Sequence, residues 1–422
     1  MPNKIWIINA DDCLFSQEVS IEGMKESSLK YILLLKPGDY CVLSPLVDID
    51  PDFVSYMARI KKLKHKNFLF TPAKHDPSES LIKAISKDKQ LVDKLSHLCR
   101  NGYVMVPQMY TKQFAALSRQ CGNNLSNNYK SIEKANDKML FKKVCKKFNI
   151  TPISPVYKAY KGQKARILSA LDFQETYLLR HPVSAGGYGT VKGKLLELIP
   201  LLKQSHQETD VYLERYKDIY RSLGTLAMLK EDGIYYGGVD CQIVHKEAWE
   251  GCFYPFTKAP ESMLRKIKEK TLLLAGYYYS MGMRGQINID WALRWKEGKL
   301  KLRALECNPR YNGFSICQRL ASTVYNIKRD KLHFYLDTKM QFNPSWNTKQ
   351  VISELEKLNK KANIKGGIVL TSRVKDGQAG FCFIGTSRQD IALLRHLFKQ
   401  RVKELETEPG KRMPTLQKKI ER

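Results

Sequence analysis

Long hydrophobic runs are missing from this sequence. The longest apolar stretches, such as Tyr31–Leu35 and Thr271–Gly276, are far shorter than the roughly 20 residues that a membrane-spanning helix needs. The amino terminus, MPNKIWIINADD, lacks the apolar segment and small-residue cleavage site of a secretory signal. We therefore expect a soluble, cytoplasmic protein with no membrane partner.

Paired cysteines are also missing. The ten cysteines are scattered, and no two of them have the two-residue spacing that redox and zinc sites use. In a reducing compartment such cysteines are small core residues or unreactive thiols. The sequence therefore gives no support for a zinc site or a disulfide framework.

Acidic residues are few. The chain has 71 lysines and arginines against 42 aspartates and glutamates, which gives a formal charge of +29. Such an excess is typical of proteins that bind nucleic acid or anionic membranes. Here the lysines are spread along the whole chain, which favours a solvated lysine-rich surface over a dedicated polyanion site. Affinity for a polyphosphate is compatible with either interpretation.

What the first third does contain is an alternation of strand and helix patterns. A chain of 422 residues is long enough for two to four packed units. Periodicity predicts strands at Lys4–Asn9, Tyr40–Leu43, Asn67–Phe70 and Tyr103–Val106, and helices at Asp52–Lys64, Ser78–Cys99 and Thr111–Cys121. This alternation predicts a small α/β domain with a parallel sheet. No glycine-rich dinucleotide fingerprint follows the first strand, so a bound dinucleotide is not expected there.

The remainder of the chain mixes strands and helices differently. Turn formers at Cys121–Ser131 predict a linker, and Asn136 or Asp137 can cap the helix that follows. Strands are predicted at Thr176–Arg180, Val211–Arg215, Ser222–Leu229, Ile234–His245, Gln286–Trp295 and Lys299–Cys307, with a helix at Glu261–Met281. The tail predicts two strands joined at Asp376-Gly377 and a helix at Ser387–Leu405. We read that tail as a small β-β-α unit.

The strongest functional signal is Asp290 together with ECNPR at Glu306–Arg310. A turn centred on Gly298 would pair residues whose numbers sum to about 596, which places Asp290 opposite Glu306. Because strand side chains alternate, Asn308 and Arg310 would project to the same face. Two carboxylates and an amide oxygen are ligands that suit Mg²⁺, and the arginine can neutralise a transferring phosphoryl group. An exposed hairpin with a surface ion pair is the alternative interpretation.

Two weaker signals precede that hairpin. The segment SAGGYGT, residues 184–190, follows a strand that ends in Arg180, and its glycines would let backbone amides approach phosphate oxygens. It lacks the lysine and serine of a P-loop. The segment VYLERYKD, Val211–Asp218, would offer an exposed strand edge to an adenine ring, with Glu214 accepting from its amino group. Ordinary turns and amphipathic strands produce both patterns as well.

The order of these features along the chain resembles the ATP-grasp superfamily, in which two α+β subdomains clamp ATP. The resemblance covers residues of about 130 to 320. It implies an amino-terminal Rossmann-like domain at 1–120, a small subdomain at 130–210 and a large subdomain at 211–345. The remaining β-β-α domain and basic tail at 346–422 give a layout similar to that of pheganomycin-type peptide ligases. The fold class expected is therefore α/β and α+β, multidomain.

The resemblance also implies a role for each matching position. Phosphate-binding cations would be Lys138 and Arg180, where most members have a second lysine, and the phosphate loop would contain Ser184, Gly186, Gly187 and Gly189. Nucleotide contacts would come from Leu213, Glu214, Arg215 and Tyr216. Metal ligands would be Asp290, Glu306 and Asn308, and the catalytic arginine would be Arg310. No ribose-binding carboxylate stands at the family's usual distance, so Asp218 is the substitute.

The activity implied is ATP-dependent ligation of a carboxylate to an amine through an acyl phosphate. ATP and Mg²⁺, or Mn²⁺ in its place, would be the cofactors, and a small carboxylic acid and an amine, such as amino acids or peptides, the substrates. A homodimer is compatible with the sequence, and a nucleic-acid partner is not expected. His181 is a candidate base, although a structural histidine is an equal alternative. Rival functions are phosphoryl transfer on the same scaffold, nucleic-acid binding by a basic protein, and non-catalytic nucleotide binding.

Overall fold

Three β-sheets organise the chain. In this computed structural model the described residues are 2–13, 28–43, 50–70, 79–123, 127, 129–154, 156–159, 171–181, 190–204, 211–245, 248–342 and 345–407. Every structural statement below concerns those residues. None of their helices combines the length and the hydropathy needed to span a bilayer.

The first sheet is parallel and belongs to the amino-terminal region. Its strands are β1 (Lys4–Ile7), β2 (Tyr40–Leu43), β3 (Phe68–Phe70) and β4 (Val104–Pro107), in the order β3-β2-β1-β4. The accompanying helices are α1 (Pro51–Lys61), α2 (Leu81–Lys87), α3 (Lys89–Arg100) and α4 (Lys112–Gln120). The predicted α/β arrangement is confirmed, but the single helix predicted at Ser78–Cys99 is wrong. Asp88 separates α2 from α3 because its side chain accepts from the Leu91 amide and caps the second helix.

The second sheet is small and antiparallel. Its strands are β5 (Val156–Ala159), β6 (Thr176–Arg180), β7 (Val191–Lys194) and β8 (Val211–Arg215), in the order β5-β8-β6-β7. Helix α7 (Leu195–Gln204) packs on it through Leu195, Leu198 and Leu202, which join a core with Tyr177 and Leu213. Helices α5 (Tyr129–Asn136) and α6 (Lys138–Lys147) connect the first sheet to this one.

The third sheet has eight strands. These are β9 (Arg221–Lys230), β10 (Gly233–His245), β11 (Ala248–Tyr254), β12 (Gly285–Lys296), β13 (Lys299–Asn308), β14 (His333–Gln341), β15 (Gly367–Leu370) and β16 (Gln378–Gly385). Their order is β13-β12-β9-β10-β11-β14-β16-β15, with every neighbouring pair antiparallel. The predicted β-β-α tail is present, and its two strands extend this sheet through β14.

Both faces of the large sheet are covered by helices. On one face, α8 (Glu261–Ser280) and α6 pack around the buried Trp291, Ile287 and Leu223. On the other face, α9 (Gly313–Thr323) packs around Phe334 and Leu226. Helices α10 (Thr348–Ala362) and α11 (Arg388–Thr407) continue that core through Leu355 and Phe398. The sequence did not predict β11, β14, α9 or α10.

Candidate functional site

The hairpin of β12 and β13 carries the first group of polar residues. Asp290 lies directly opposite Glu306, and Asn288 lies opposite Asn308, so the predicted pairing is confirmed. The turn residues Glu297 and Gly298 have φ of 54° and 67°, as a tight hairpin turn requires. The register shifts by one residue between Asp290 and Trp291, which keeps Asp290 and Glu306 in line.

Asp290 is surrounded by amide groups. Its Oδ1 accepts from Gln242 Nε2 at 2.7 Å and from Asn288 Nδ2 at 2.9 Å, and its Oδ2 accepts from Asn308 Nδ2 at 2.7 Å. Burial raises the pKa of Asp290 to about 8, and the negative charge of Glu306 adds to the effect. A bound cation would offset both effects and favour the ionised form of this carboxyl.

Glu306 is surrounded by cations instead. Its Oε2 accepts from Arg180 Nη2 at 3.0 Å and lies 3.4 Å from Lys138 Nζ, while its Oε1 accepts from Asn308 Nδ2 at 3.3 Å. Burial alone would raise the pKa of Glu306, but Lys138, Arg180 and Arg310 outweigh it and lower the pKa to about 2. Two neighbouring carboxyl groups thus have pKa values displaced in opposite directions.

Arg180 links that hairpin to the small sheet. Its Nη1 donates to Glu214 Oε2 at 3.3 Å, while its Nη2 holds Glu306. Glu214 also accepts from Lys142 and, at 2.9 Å, from Ser154 Oγ. Burial would raise the pKa of Glu214, but Lys142 and Arg180 lower it. One guanidinium therefore bridges carboxylates from two sheets.

Helix α6 positions the lysines of the site. Asp137 caps this helix by accepting from the Met139 and Leu140 amides. Lys138 and Lys142 are four residues apart, so they share the buried face of the helix. Burial lowers the pKa of Lys138 to about 8 although Glu306 opposes the change. The sequence analysis missed Lys142, which the four-residue spacing from Lys138 could have revealed.

Arg310 lies in the short connection between β13 and α9. Its Nη1 donates to Asn136 Oδ1 at 3.0 Å, and its carbonyl accepts from Gln286 Nε2 at 3.1 Å. Its charge helps to lower the pKa of Glu306. The structure therefore brings Lys138, Arg180, Glu214, Asp290, Glu306 and Asn308 into one polar cluster, and the charge of Arg310 acts on it from beside Glu306.

The arrangement of sheets can be compared with known proteins. No protein-family model and no curated protein sequence matches this chain. Among solved structures, carboxyaminoimidazole ribonucleotide synthase from Aspergillus clavatus, in complex with ATP, aligns with a TM-score of 0.58 at 10% identity. That alignment covers 95% of this chain and 99% of the other.

Two further solved structures align over most of their length. N5-carboxyaminoimidazole synthetase from Staphylococcus aureus, in complex with ADP, has a TM-score of 0.56 at 13% identity, with 94% of this chain and 96% of the other covered. Biotin carboxylase from Campylobacter jejuni has a TM-score of 0.57 at 11% identity, with 93% and 89% covered.

The chain has the ATP-grasp fold.

In ATP-grasp terms, the polar cluster lies where the small sheet faces the hairpin of the large sheet. Glu214 anchors it on the small-sheet side, Asp290 and Asn308 anchor it on the large-sheet side, and Lys142 of α6 binds Glu214. Residues Ser184, Gly186, Gly187 and Gly189 of the expected phosphate loop lie outside the described residues. His181 is half-buried directly after β6.

The linker of this ATP-grasp fold differs from expectation in one respect. The prediction that Val211–Asp218 offers a strand edge is wrong for residues 211–215, because β8 pairs with β5 on one side and with β6 on the other. Leu213 is buried, and Arg215 forms an ion pair with Glu175. Only the backbone after Arg215 is free of strand pairing and could contact an adenine base. At Tyr216, however, the amide already donates to the Thr176 carbonyl at 2.8 Å.

Asp218 lies at the exposed end of the same linker. Its carbonyl accepts from Arg294 Nε at 2.8 Å, and among the described residues no contact joins its carboxylate to the polar cluster. Its assignment as the ribose ligand stays a prediction.

The residues present fit a divalent cation. Among the described residues no three His, Cys, Asp or Glu side chains form a metal-binding group, so a cation here would depend on amide oxygens as well. Asn288 Oδ1 is such an oxygen: it is buried and has no hydrogen-bond partner in the described part of the chain. The Asn308 amide now directs its nitrogen at both carboxylates, and a half-turn of the amide would place its oxygen there instead. Carboxylate and amide oxygens are ligands that Mg²⁺ accepts.

Proposed function

We propose that this chain is an ATP-dependent ligase that joins a carboxylate to an amine through an acyl phosphate. The observation that carries the proposal is the convergence of Lys138, Arg180 and Arg310 on the set formed by Asp290, Glu306 and Asn308. Cations that bind phosphate and oxygen ligands for Mg²⁺ are the two components that phosphoryl transfer needs. The ATP-grasp fold of the chain supports the same activity.

The nucleotide would lie between the two sheets. Lys138 and Arg180 would exchange part of their contact with Glu306 for phosphate oxygens, which carry more charge. Asp290, Glu306 and Asn308 would hold Mg²⁺, which supplies neutralising charge to the phosphates when it is bound. The linker backbone after Arg215 and the Glu214 carboxylate would contact adenine, and Asp218 the ribose.

The reaction has two steps. An oxygen of the substrate carboxylate attacks the γ-phosphorus, the bond to the ADP oxygen breaks, and Arg310 stabilises the charge on the transferring group. A bound amine then attacks the carbonyl carbon of the acyl phosphate, and phosphate leaves. The acid and the amine are small molecules, with amino acids and peptides as the proposed class.

A screen for coupled product tests this function. The purified chain would be incubated with MgATP and pairs drawn from the amino acids and glycylglycine, with ADP release and product mass as the readouts. Hydroxylamine added to each acid alone would trap an acyl phosphate as a hydroxamate, which phosphoryl transfer to a hydroxyl acceptor does not produce. We expect ADP release and hydroxamate to rise together for one acid or a small group of acids.

Variants then test the site. Glu306→Gln should lower magnesium-dependent turnover by about 100-fold, because it removes a carboxylate ligand of the proposed Mg²⁺ site. Asp337→Asn, on the distant strand β14, is the matched control and should keep wild-type turnover. Unchanged activity in the Glu306 variant would show that the metal site lies elsewhere.

A further inference from the structure

Lys30 is a half-buried lysine that lies between two aromatic rings. It belongs to the short 3-10 helix Leu29–Leu34 of the amino-terminal region. Its Nζ lies 5.8 Å from the centre of the Tyr31 ring and 5.9 Å from the centre of the Trp249 ring. Within the part of the chain that the structure describes, no carboxylate forms an ion pair with this ammonium group.

The missing counter-charge leaves this ammonium group able to bind an anion. Lys138 and Lys142 of the polar cluster each contact a glutamate, whereas the printed contacts of Lys30 are with ring faces, which offset only part of the loss of hydration. Burial accordingly lowers the pKa of Lys30 to about 8. An anion beside Lys30 would reverse that effect and stabilise the charged form.

Trp249 relates Lys30 to the start of helix α9. A Cβ atom at position 313 would lie only 2.5 Å from a ring carbon of Trp249, so the tryptophan ring packs directly on the Gly313 backbone. The 3-10 helix that carries Lys30 is also held to α9, because Arg319 Nε donates to the Leu34 carbonyl at 3.2 Å. Lys30 and the first turn of α9 are therefore neighbours on either side of one ring.

The start of α9 lies over the face of the large sheet that bears the proposed metal ligands. Gln286 precedes Asp290 by four residues in β12, so the two side chains project to the same face. Gln286 Nε2 donates to Ser315 Oγ at 2.7 Å and to the Arg310 carbonyl at 3.1 Å. Trp249, which packs on Gly313, therefore borders the same side of the sheet as Asp290.

The stretch from Arg310 to Lys30 is short and open to solvent. Gly313 follows Arg310 by three residues, so their Cα atoms are at most about 11 Å apart. The side chains along this stretch are all half-buried, which leaves part of each exposed: Arg310, Tyr311, Asn312, Trp249 and Lys30. An amino acid or a short peptide has the length to reach from the phosphoryl site toward Lys30.

We propose that Lys30 binds a substrate carboxylate that the reaction leaves intact, and that it thereby selects substrates that carry one. The inference rests on the proposed ligase function. Lys138, Arg180 and Arg310 already supply cations for the nucleotide phosphates, so the charge of Lys30 is available to a substrate. The carboxylate belongs either to the acceptor, as in an amino acid or peptide, or to an acid that has two carboxylates.

Lys30→Met tests the role of the charge. Methionine keeps the length of the side chain and its contact with both rings but removes the ammonium group. With the acid and the acceptor that the product screen identifies, we expect the KM for one of the two to rise about 30-fold, with kcat within about threefold of wild type. Lys30→Arg keeps the charge and should hold that KM within about fivefold of wild type.

Two assays identify which substrate carries the carboxylate. Hydroxamate formation from the acid alone reports the KM for the acid, and amide formation at saturating acid reports the KM for the acceptor. The substrate whose KM changes is then replaced by a form in which the intact carboxylate is a carboxamide. Wild type should bind the carboxamide about 30-fold more weakly, and Lys30→Met should bind the two forms equally.

Lys4→Met is the matched control. Lys4 Nζ lies 5.2 Å from the centre of the Trp6 ring, so this variant loses the same kind of contact at the amino end of β1. Its KM values should equal those of wild type. In thermal melting without ligands, Lys30→Met should be at least as stable as wild type, because it removes an ammonium group that burial disfavours.

The outcomes distinguish the role of Lys30 from the ligase function. If Lys30→Met leaves both KM values unchanged, or still discriminates against the carboxamide, the role of Lys30 is overturned and the ligase function stands. A melting temperature below that of wild type would show that the ammonium group has a partner within the protein, which would also overturn the role of Lys30. A wild-type chain that releases no ADP with any acid would overturn the ligase function, and the role of Lys30 with it.

Discussion

At the residue scale, breaking the buried ion pair of Lys142 and Glu214 should lower the stability of the folded protein most clearly. Both side chains are at least nine-tenths buried, at 5% and 2% exposure. Lys142→Met leaves Glu214 with fewer partners, so it should lower the free energy of unfolding by roughly 3 kcal/mol. Urea denaturation of the ligand-free protein measures this. The double variant Lys142→Met/Glu214→Gln should recover much of the loss because no uncompensated charge remains.

The same pair predicts a dependence on pH. In the folded state the pKa of Glu214 lies below its ordinary value of 4.5. Ionised Glu214 therefore stabilises the fold at any pH above 4.5. This contribution is lost as the pH falls through the lowered pKa of the folded state. The difference between wild type and Lys142→Met should therefore shrink in acid. A difference that stays constant from neutral pH to acid would contradict the role given to Glu214.

Asp240 should show the opposite dependence. Its folded-state pKa is raised from 3.8 to about 7, so its protonated form contributes stability at low pH that is lost as the pH rises through 7. Asp240→Asn removes the penalty and should be more stable than wild type at pH 8, on the order of 2 kcal/mol, with little difference near pH 4. Melting temperatures across that range measure it, with Asp232→Asn as the control. A variant less stable than wild type at pH 8 would contradict the burial of an unpaired carboxyl.

At the scale of elements, the β12–β13 turn can be strengthened or weakened without touching the site. Glu297 has a positive φ that asparagine adopts more easily, and Gly298 follows with φ 67°. Glu297→Asn should stabilise the protein by about 0.5 kcal/mol, and Gly298→Val should destabilise it by about 1 kcal/mol or more. Both positions are exposed, so chemical denaturation would report backbone strain alone. Equal stability of the two variants would contradict the turn geometry.

The elements that sequence patterns predicted are those with local signals. The strands Tyr40–Leu43, Thr176–Arg180 and Val211–Arg215 were predicted with their observed bounds. By contrast, β14 was missed because its partners β11 and β16 are distant in sequence. Helix α9 has a capping box formed by Asn312 and Ser315, which is a local signal for the start of a helix.

The site, too, could be predicted from the sequence only where a local turn sets the position of its residues. The turn at Gly298 fixes the register of the hairpin to within one residue, and the β-bulge beside Asp290 supplies the shift that places Asp290 opposite Glu306. Gln242 and Asp240 were missed because their places beside Asp290 depend on how β9 pairs with β10 and with β12. No turn between β9 and β12 sets that register.

At the scale of the whole molecule, the carboxy-terminal strands should be indispensable for folding. Strand β14 is hydrogen-bonded to β16, and Phe381 packs against Phe342 and Phe398. A chain ending at residue 345 would expose the edge of β14 and lose that core, so we expect aggregation. A chain ending at residue 407 keeps every described element and should remain soluble. Size-exclusion chromatography distinguishes the two, and a monomeric, cooperatively folded 1–345 chain would support an independent domain at 346–422.

The order of strands in the large sheet also has a consequence for synthesis on the ribosome. The strands that bear Asp240, Asp290 and Glu306 emerge before β14, and the last strands join at the edge farthest from those carboxylates. The strands that carry these carboxylates can therefore pair with one another while translation continues. Until the tail is released, β14 presents an unpaired edge, which makes this strand the natural target of a chaperone on the nascent chain.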